Sequence, residues 1–302
     1  MHAYLRIFLF PLCSILLFTA IPALSQKPTT SPTMRLSQVL SALRGKSKAL
    51  ESTSGMRHGF ESFSAAHKLP SDGIRYSDYV LVRLLFEATR DAGFWNMHWN
   101  ITDQPPNSDR IWRQWKGVAN PSFRAPTAIA ECDELSALFA FLLERAGVRN
   151  VGLFWPYANH TVAVWTLHPA GLSAIRIVVP TSQIFLTESD TFDTKKFDPW
   201  RQKTIYEYTR RDVADSFELP KPLCDFFLQQ VDKYGGASET TLQQLRYLRD
   251  GVFVGSLTPE QAAREALRLR SSLPALPAED SAAFQYFASD MRAVPSSIVP
   301  TN

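Results

Sequence analysis

Cysteine is scarce in this chain: three residues in 302, one of which, Cys13, lies in the apolar start. Without that start only Cys132 and Cys224 remain, so one bridge is the most the chain can form, and forming it would abolish thiol chemistry. An excess of one charge is also missing. A net charge of +3, with no basic run interleaved with aromatics, excludes an electrostatic case for nucleic acid. There is no internal repeat. Histidine numbers six, and His58, His67 and His98 stand at no metal-ligand spacing to any cysteine, so no metal site and no cofactor are assigned. Composition is ordinary for a globular protein, with 45% apolar and 20% charged residues, which excludes a disordered tail.

What is present begins with "MHAYLRIFLFPLCSILLFTAIPALSQ". Arg6 precedes an apolar run, and Ala23-Leu24-Ser25 places small residues where a signal peptidase reads. The expectation is an export signal over residues 1–25, cleaved before Gln26, and a secreted or periplasmic product with no stable membrane anchoring. The rival is an uncleaved anchor, but Pro11 and Pro22 interrupt a run only marginally long enough to span a bilayer. Cys13 is not a lipid-attachment cysteine, because the apolar run continues beyond it.

Residues 26–122 are expected to form a linker and an N-terminal helical region. Helices are predicted over 33–50 and from a Ser77 cap to a stop at Gly93, with 55–73 irregular between them. Trp95, Trp99, Trp112 and Trp115 follow, and core filling is the favoured account of them. Residues 123–200 carry "AECDELSALFAFLLERAGV" (130–148), in which Leu135, Phe139, Leu142, Leu143 and Ala146 recur on one side at helical period and Gly147 gives the stop. Three strands are predicted next, over 150–155, 160–167 and 173–179. One helix followed by an antiparallel meander implies an α+β core. Residues 201–302 read as helical: 212–217, 223–234, 239–248, a helix opened by the Thr258–Gln261 capping box, and a last one over 282–291.

The helix over 130–148 opens with a cysteine between two acids. Its first turn offers free backbone N–H groups and the positive end of the dipole, which lower a thiol pKa and favour a thiolate nucleophile. Glu131 and Asp133 oppose this only if they lie close; on the helix they diverge from Cys132 and can face water. The bland reading is a small buried residue. A thiol nucleophile needs a base. His160 opens the second predicted strand, on a face with Val162, Val164 and Thr166, where it can reach the helix tip; His168, at a turn, is the weaker choice.

These residues together resemble the transglutaminase-like superfamily of papain-fold cysteine enzymes. The resemblance spans about residues 124–186: a helix-tip cysteine, an alanine/leucine-rich helix ending in glycine, a strand opened by histidine, then Pro180-Thr181. It implies a papain-like core with helical extensions on both sides, and a Cys132–His160 pair acting on amide bonds of a protein or peptide substrate. The family's third catalytic residue, an aspartate, falls on Val179, which cannot orient an imidazole. Gln183 is the candidate substitute, by its side-chain carbonyl, with Thr181 weaker. The oxyanion hole implied by the resemblance combines the Cys132 N–H with an indole N–H from Trp112 or Trp115.

Three functions follow. The first is an exported cysteine enzyme, with hydrolysis (peptidase or amidase) favoured over acyl transfer. The second is a catalytically decayed module of the same fold that binds or scaffolds proteins. The third is a helical protein closed by a Cys132–Cys224 bridge.

Overall fold

In the computed structural model the described residues are 32–70, 73–101, 109–157, 160–181 and 213–293. The export signal and Gln183 lie outside them. The chain folds around helix α5 (Cys132–Arg145). Its sequence is rich in Leu, Ala and Phe and free of β-branched residues, a composition that favours helix. Glu131 caps it, and the Glu134 carboxylate accepts the Glu131 N–H at 2.8 Å. At the other end Gly147, at φ +87°, closes a Schellman motif: its N–H donates to Glu144 and that of Val148 to Leu143. The expected one-sided apolar stripe is not what forms. All residues from Cys132 to Leu143 are buried, including Asp133, Glu134 and Ser136, so α5 is enclosed all round.

The sheet that covers α5 has three antiparallel strands in the order β4 (Val151–Tyr157), β5 (His160–Leu167), β6 (Ile175–Val179). This is the expected meander. Ala163 stands opposite Val179 and Trp165 opposite Ile177. On α5's other side packs α3 (Tyr76–Thr89), with Phe86 and Phe139 meeting edge to face. The cap of α3 is Arg75, not Ser77, and the helix ends at Thr89. Gly93 lies in the turn beyond, where a Cβ would stand 2.2 Å from the Glu87 carbonyl oxygen; close approach, more than a helix stop, calls for glycine there.

Around this core lie α1 (Leu36–Leu50) and α2 (Ser54–His67) before α3, and a short α4 (Arg110–Lys116). Residues 55–73 are therefore largely helical, against expectation. Met56 and Phe63 bury one face of α2, and Gly59 lets it approach Tyr79 closely, its absent side chain leaving room for the phenol oxygen. Two strand pairs complete the sheets: β1 (Thr33–Arg35) with β7 (Glu218–Pro220), antiparallel, and β2 (Met97–Trp99) with β3 (Ala128–Ala130), parallel. Residues 213–217 do not form the predicted helix. They instead supply the carbonyls of Asp215 and Phe217 to the first N–H groups of α1.

The C-terminal region is helical as expected: α6 (Lys221–Tyr234), α7 (Glu239–Phe253), α8 (Pro259–Ser272) and α9 (Ala278–Arg292). Thr258 caps α8 in the predicted box with Gln261. This region shares the main core. Phe227 of α6 stacks on Trp95 with centroids 3.9 Å apart, and Trp95 packs on Trp115 at 4.4 Å. Arg249 of α7 enters the turn after α3. Its Nη1 donates at 3.1 Å to the carbonyls of Ala92 and Gly93 and to Asn96 Oδ1, and its guanidinium lies over the Phe123 ring at 3.6 Å. Ala92 and Asn96 both hold positive φ, so the turn is strained and the arginine fixes it. Burial lowers the Arg249 pKa to about 10, still charged at neutral pH.

Replacing this cation strands the Ala92 carbonyl and Asn96 Oδ1 in the interior, while the Gly93 carbonyl keeps the Asn96 N–H at 2.8 Å. Arg249→Met is expected to lower unfolding free energy by about 3 kcal/mol, against about 1 kcal/mol for Thr258→Ala, both read from urea denaturation.

Candidate functional site

Cys132 is the first residue of α5, and the backbone N–H groups of Asp133 in its own helix and of Thr161 in β5 lie near enough to its sulfur to favour the thiolate. His160 is therefore the residue next to that strand position. The chain brings the first turns of α5 and the start of β5 into one corner. A residue that sequence reasoning did not single out, Ser136, holds that corner together with Thr161 and Thr181. Ser136, one turn below Cys132, donates to the Thr161 carbonyl at 3.2 Å and shares a hydrogen bond of 2.8 Å with the Thr181 hydroxyl. Ser136 was visible in the sequence as the i+4 neighbour of Cys132, a polar residue on an otherwise apolar helix flank.

Alternation along β5 groups His160 with Val162 and Val164, and Thr161 with Ala163 and Trp165. Ala163 and Trp165 belong to the main core, whereas Val162 and Val164, also buried, do not.

The electrostatics differ from expectation. The Cys132 thiol is not lowered. Burial pushes it up to about 11, with the charges of Asp133 and Glu131 adding to the rise and the N–H groups of Thr161 and Asp133 only partly opposing it. Desolvation outweighs the helix end because the tip is dry: Cys132 is 6% exposed. Asp133 does not face water either. Burial raises its carboxyl to about 6, and that of Glu134 to about 7. His160, 2% exposed, is lowered by burial to about 4. At neutral pH the resting pair is a thiol and a neutral imidazole, with no ion pair.

Neither cysteine is bridged; Cys132 and Cys224 are both free and buried, so the disulfide-closed alternative does not hold. Val179 is fully buried in β6, opposite Ala163, and offers the imidazole no acceptor. The Thr181 hydroxyl is bound to Ser136. Gln183 lies outside the described residues, and so no third residue is assigned. Of the two tryptophans, Trp115 is committed to the core, donating its indole N–H to Thr127 Oγ1 at 3.2 Å. Trp112 packs edge to face on Phe141, nine residues along α5 from Cys132, or about 13 Å down the helix axis. Neither serves as the oxyanion donor. The backbone N–H groups already near the sulfur are the donors the corner offers.

The pH behaviour follows from the signs. His160, lowered on folding, contributes stability that is complete above the unfolded pKa of 6.5 and lost as pH falls through about 4. Asp133 and Glu134, raised on folding, contribute stability that is complete below their unfolded values of 3.8 and 4.5 and lost as pH rises through about 6 and 7. The two effects oppose each other between pH 4 and 7. Removing the imidazole leaves only the carboxyls, so His160→Asn is expected to gain stability relative to the parent as pH falls from 7 to 4, measured by urea unfolding at stepped pH. No family model matches the chain, and no curated protein or solved structure matches it either.

Proposed function

We propose that this chain is an exported transglutaminase-like cysteine enzyme acting on amide bonds of a protein or peptide, with a papain-like core around α5. The observation that carries the reading is the placement of Cys132 at the first residue of that helix, where the backbone N–H groups of Asp133 and of Thr161, the residue that follows His160, both favour its thiolate. The residue order of helix, histidine-opened strand and Pro180-Thr181 supports the same reading. The Cys132 sulfur attacks the amide carbonyl carbon and its proton passes to the His160 imidazole. The C–N bond breaks, and the amine leaves with that proton. Water, deprotonated by the imidazole, then cleaves the thioester to a carboxylic acid and restores the thiol; an amine in place of water would complete acyl transfer. Because the pair rests neutral, the proton moves during attack, as in a hydroxyl–imidazole pair, and not beforehand.

A second reading has its own support. Val179 in the aspartate position, together with a thiol raised to about 11, suits a module that keeps the architecture for protein binding and has lost turnover.

Alkylation separates the two. The mature protein is treated with iodoacetamide across pH 5 to 10 and the label mapped by mass spectrometry, with and without an acyl-donor peptide library. The enzyme is expected to label at Cys132 and to form a peptide thioester there, lost in Cys132→Ser and reduced at least tenfold in His160→Ala. If labelling rises only at high pH, is insensitive to His160→Ala and no thioester forms, the binding module is the right reading.

A further inference from the structure

Outside the cysteine corner the chain places three ligand-type side chains together. Asp91 lies in the turn after α3, His98 in β2 and Asp250 in α7. One ligand atom from each lies within 4.8 Å of the others. His98 Nδ1 stands 3.5 Å from Asp91 Oδ1 and 3.4 Å from Asp250 Oδ1. We propose that Asp91, His98 and Asp250 form a divalent transition-metal site, suited best to zinc, which clasps α7 to the turn and strand that lead to Cys132.

The spacing is the first argument. Ligands about 2.1 Å from a tetrahedral zinc are about 3.4 Å from one another, and the two nitrogen–oxygen separations match that edge. The second is a loosely held atom. His98 Nδ1 is buried and faces both carboxylates as an ion pair, at distances too long for a hydrogen bond of good geometry. Without a metal, the same contacts are those of an imidazolium shared by two carboxylates. A cation between the three atoms would bridge both contacts. The third is orientation. Asp91 is buried, and its Oδ1 accepts the Trp99 N–H at 2.7 Å, which fixes the carboxylate by an outer hydrogen bond as metal ligands commonly are fixed. The His98 ring packs edge on against Phe253 with centroids 5.6 Å apart, which sets its plane. One nitrogen and two carboxylate oxygens suit zinc, manganese or cobalt, and exclude a soft thiolate-type site.

The location gives the site a task. His98 stands opposite Ile129 in the β2–β3 pair, whose last residue, Ala130, is two before Cys132. The Asp91 N–H donates to the Thr181 carbonyl at 3.2 Å, and the Thr181 hydroxyl bonds Ser136 beneath Cys132. A metal at Asp91 would therefore stiffen the backbone on both sides of the cysteine while chemistry proceeded elsewhere. The proposal stands independently of any reaction at Cys132.

The test uses the untagged mature chain, freed of metal by chelator and dialysis, then titrated with zinc and separately with cobalt. Uptake of one equivalent of zinc is expected, with a rise in Tm of about 5 °C. Affinity should fall at least tenfold in Asp250→Asn and in His98→Gln and be unchanged in Cys132→Ser. Asp250 is only partly buried, and circular dichroism of Asp250→Asn checks that it folds. The cobalt form should show weak visible ligand-field bands with no sulfur charge-transfer band. Failure of the parent chain to take up zinc or cobalt, equal affinity in Asp250→Asn, or a charge-transfer band lost in Cys132→Ser would overturn the site and leave an imidazolium shared by two acids.

Discussion

The structure depends on the complete enclosure of one helix. α5 is covered by β4–β6 on one side and α3 on another, so its first turn is as dry as its middle. Everything distinctive about the cysteine corner follows. A helix N-terminus in water lowers a thiol pKa; the same N-terminus in a dry interior does not, because removing the thiolate from water outweighs a partial charge and two N–H groups. The same burial raises Asp133 and Glu134 and lowers His160, so every ionisable group in the corner with a resolved shift moves toward its neutral form.

A neutral corner constrains the chemistry. Amide cleavage from a thiol–imidazole pair requires proton transfer in the same step as attack, and that transfer works best when something orients the imidazole. Val179 cannot do so, and the Thr181 hydroxyl is turned toward α5. The N–H groups of Thr161 and Asp133 then carry a larger share of any charge that develops at sulfur or oxygen. Ser136 matters for the same reason: by tying α5 to both Thr161 and Thr181 it holds those donors in place.

The turn after α3 is a second point of constraint, and it joins parts of the chain far apart in sequence. Arg249 fixes its carbonyls, Asp250 beside it reaches His98, and Asp91 reaches Thr181. The C-terminal helices thus do more than cover the sheet. They brace the segment that carries the chain from α3 into the strand pair before Cys132. Two residues at positive φ persist there because an internal arginine over-determines the turn.

Much of the fold was legible in local pattern. The period of apolar residues gave α5, short apolar runs bounded by turns gave the three-strand meander, and the Thr258 capping box gave the start of α8. Cysteine at a helix start and histidine at a strand start were legible as a pair for the same reason: both signals sit within a few residues of the atoms concerned. What failed was whatever needed a distant partner. Helix α2 hides its few apolar residues among glycines and polar groups, and only packing on α3 shows which face is buried. Residues 213–217 have helical composition but serve as acceptors for α1. Asp91, His98 and Asp250 share no spacing that a linear motif could express. The sequence by itself determined which residues could be nucleophile, base and helix ends. Only the tertiary structure decided their charge states and neighbours, because desolvation and through-space contact depend on chain segments that lie far away along the backbone.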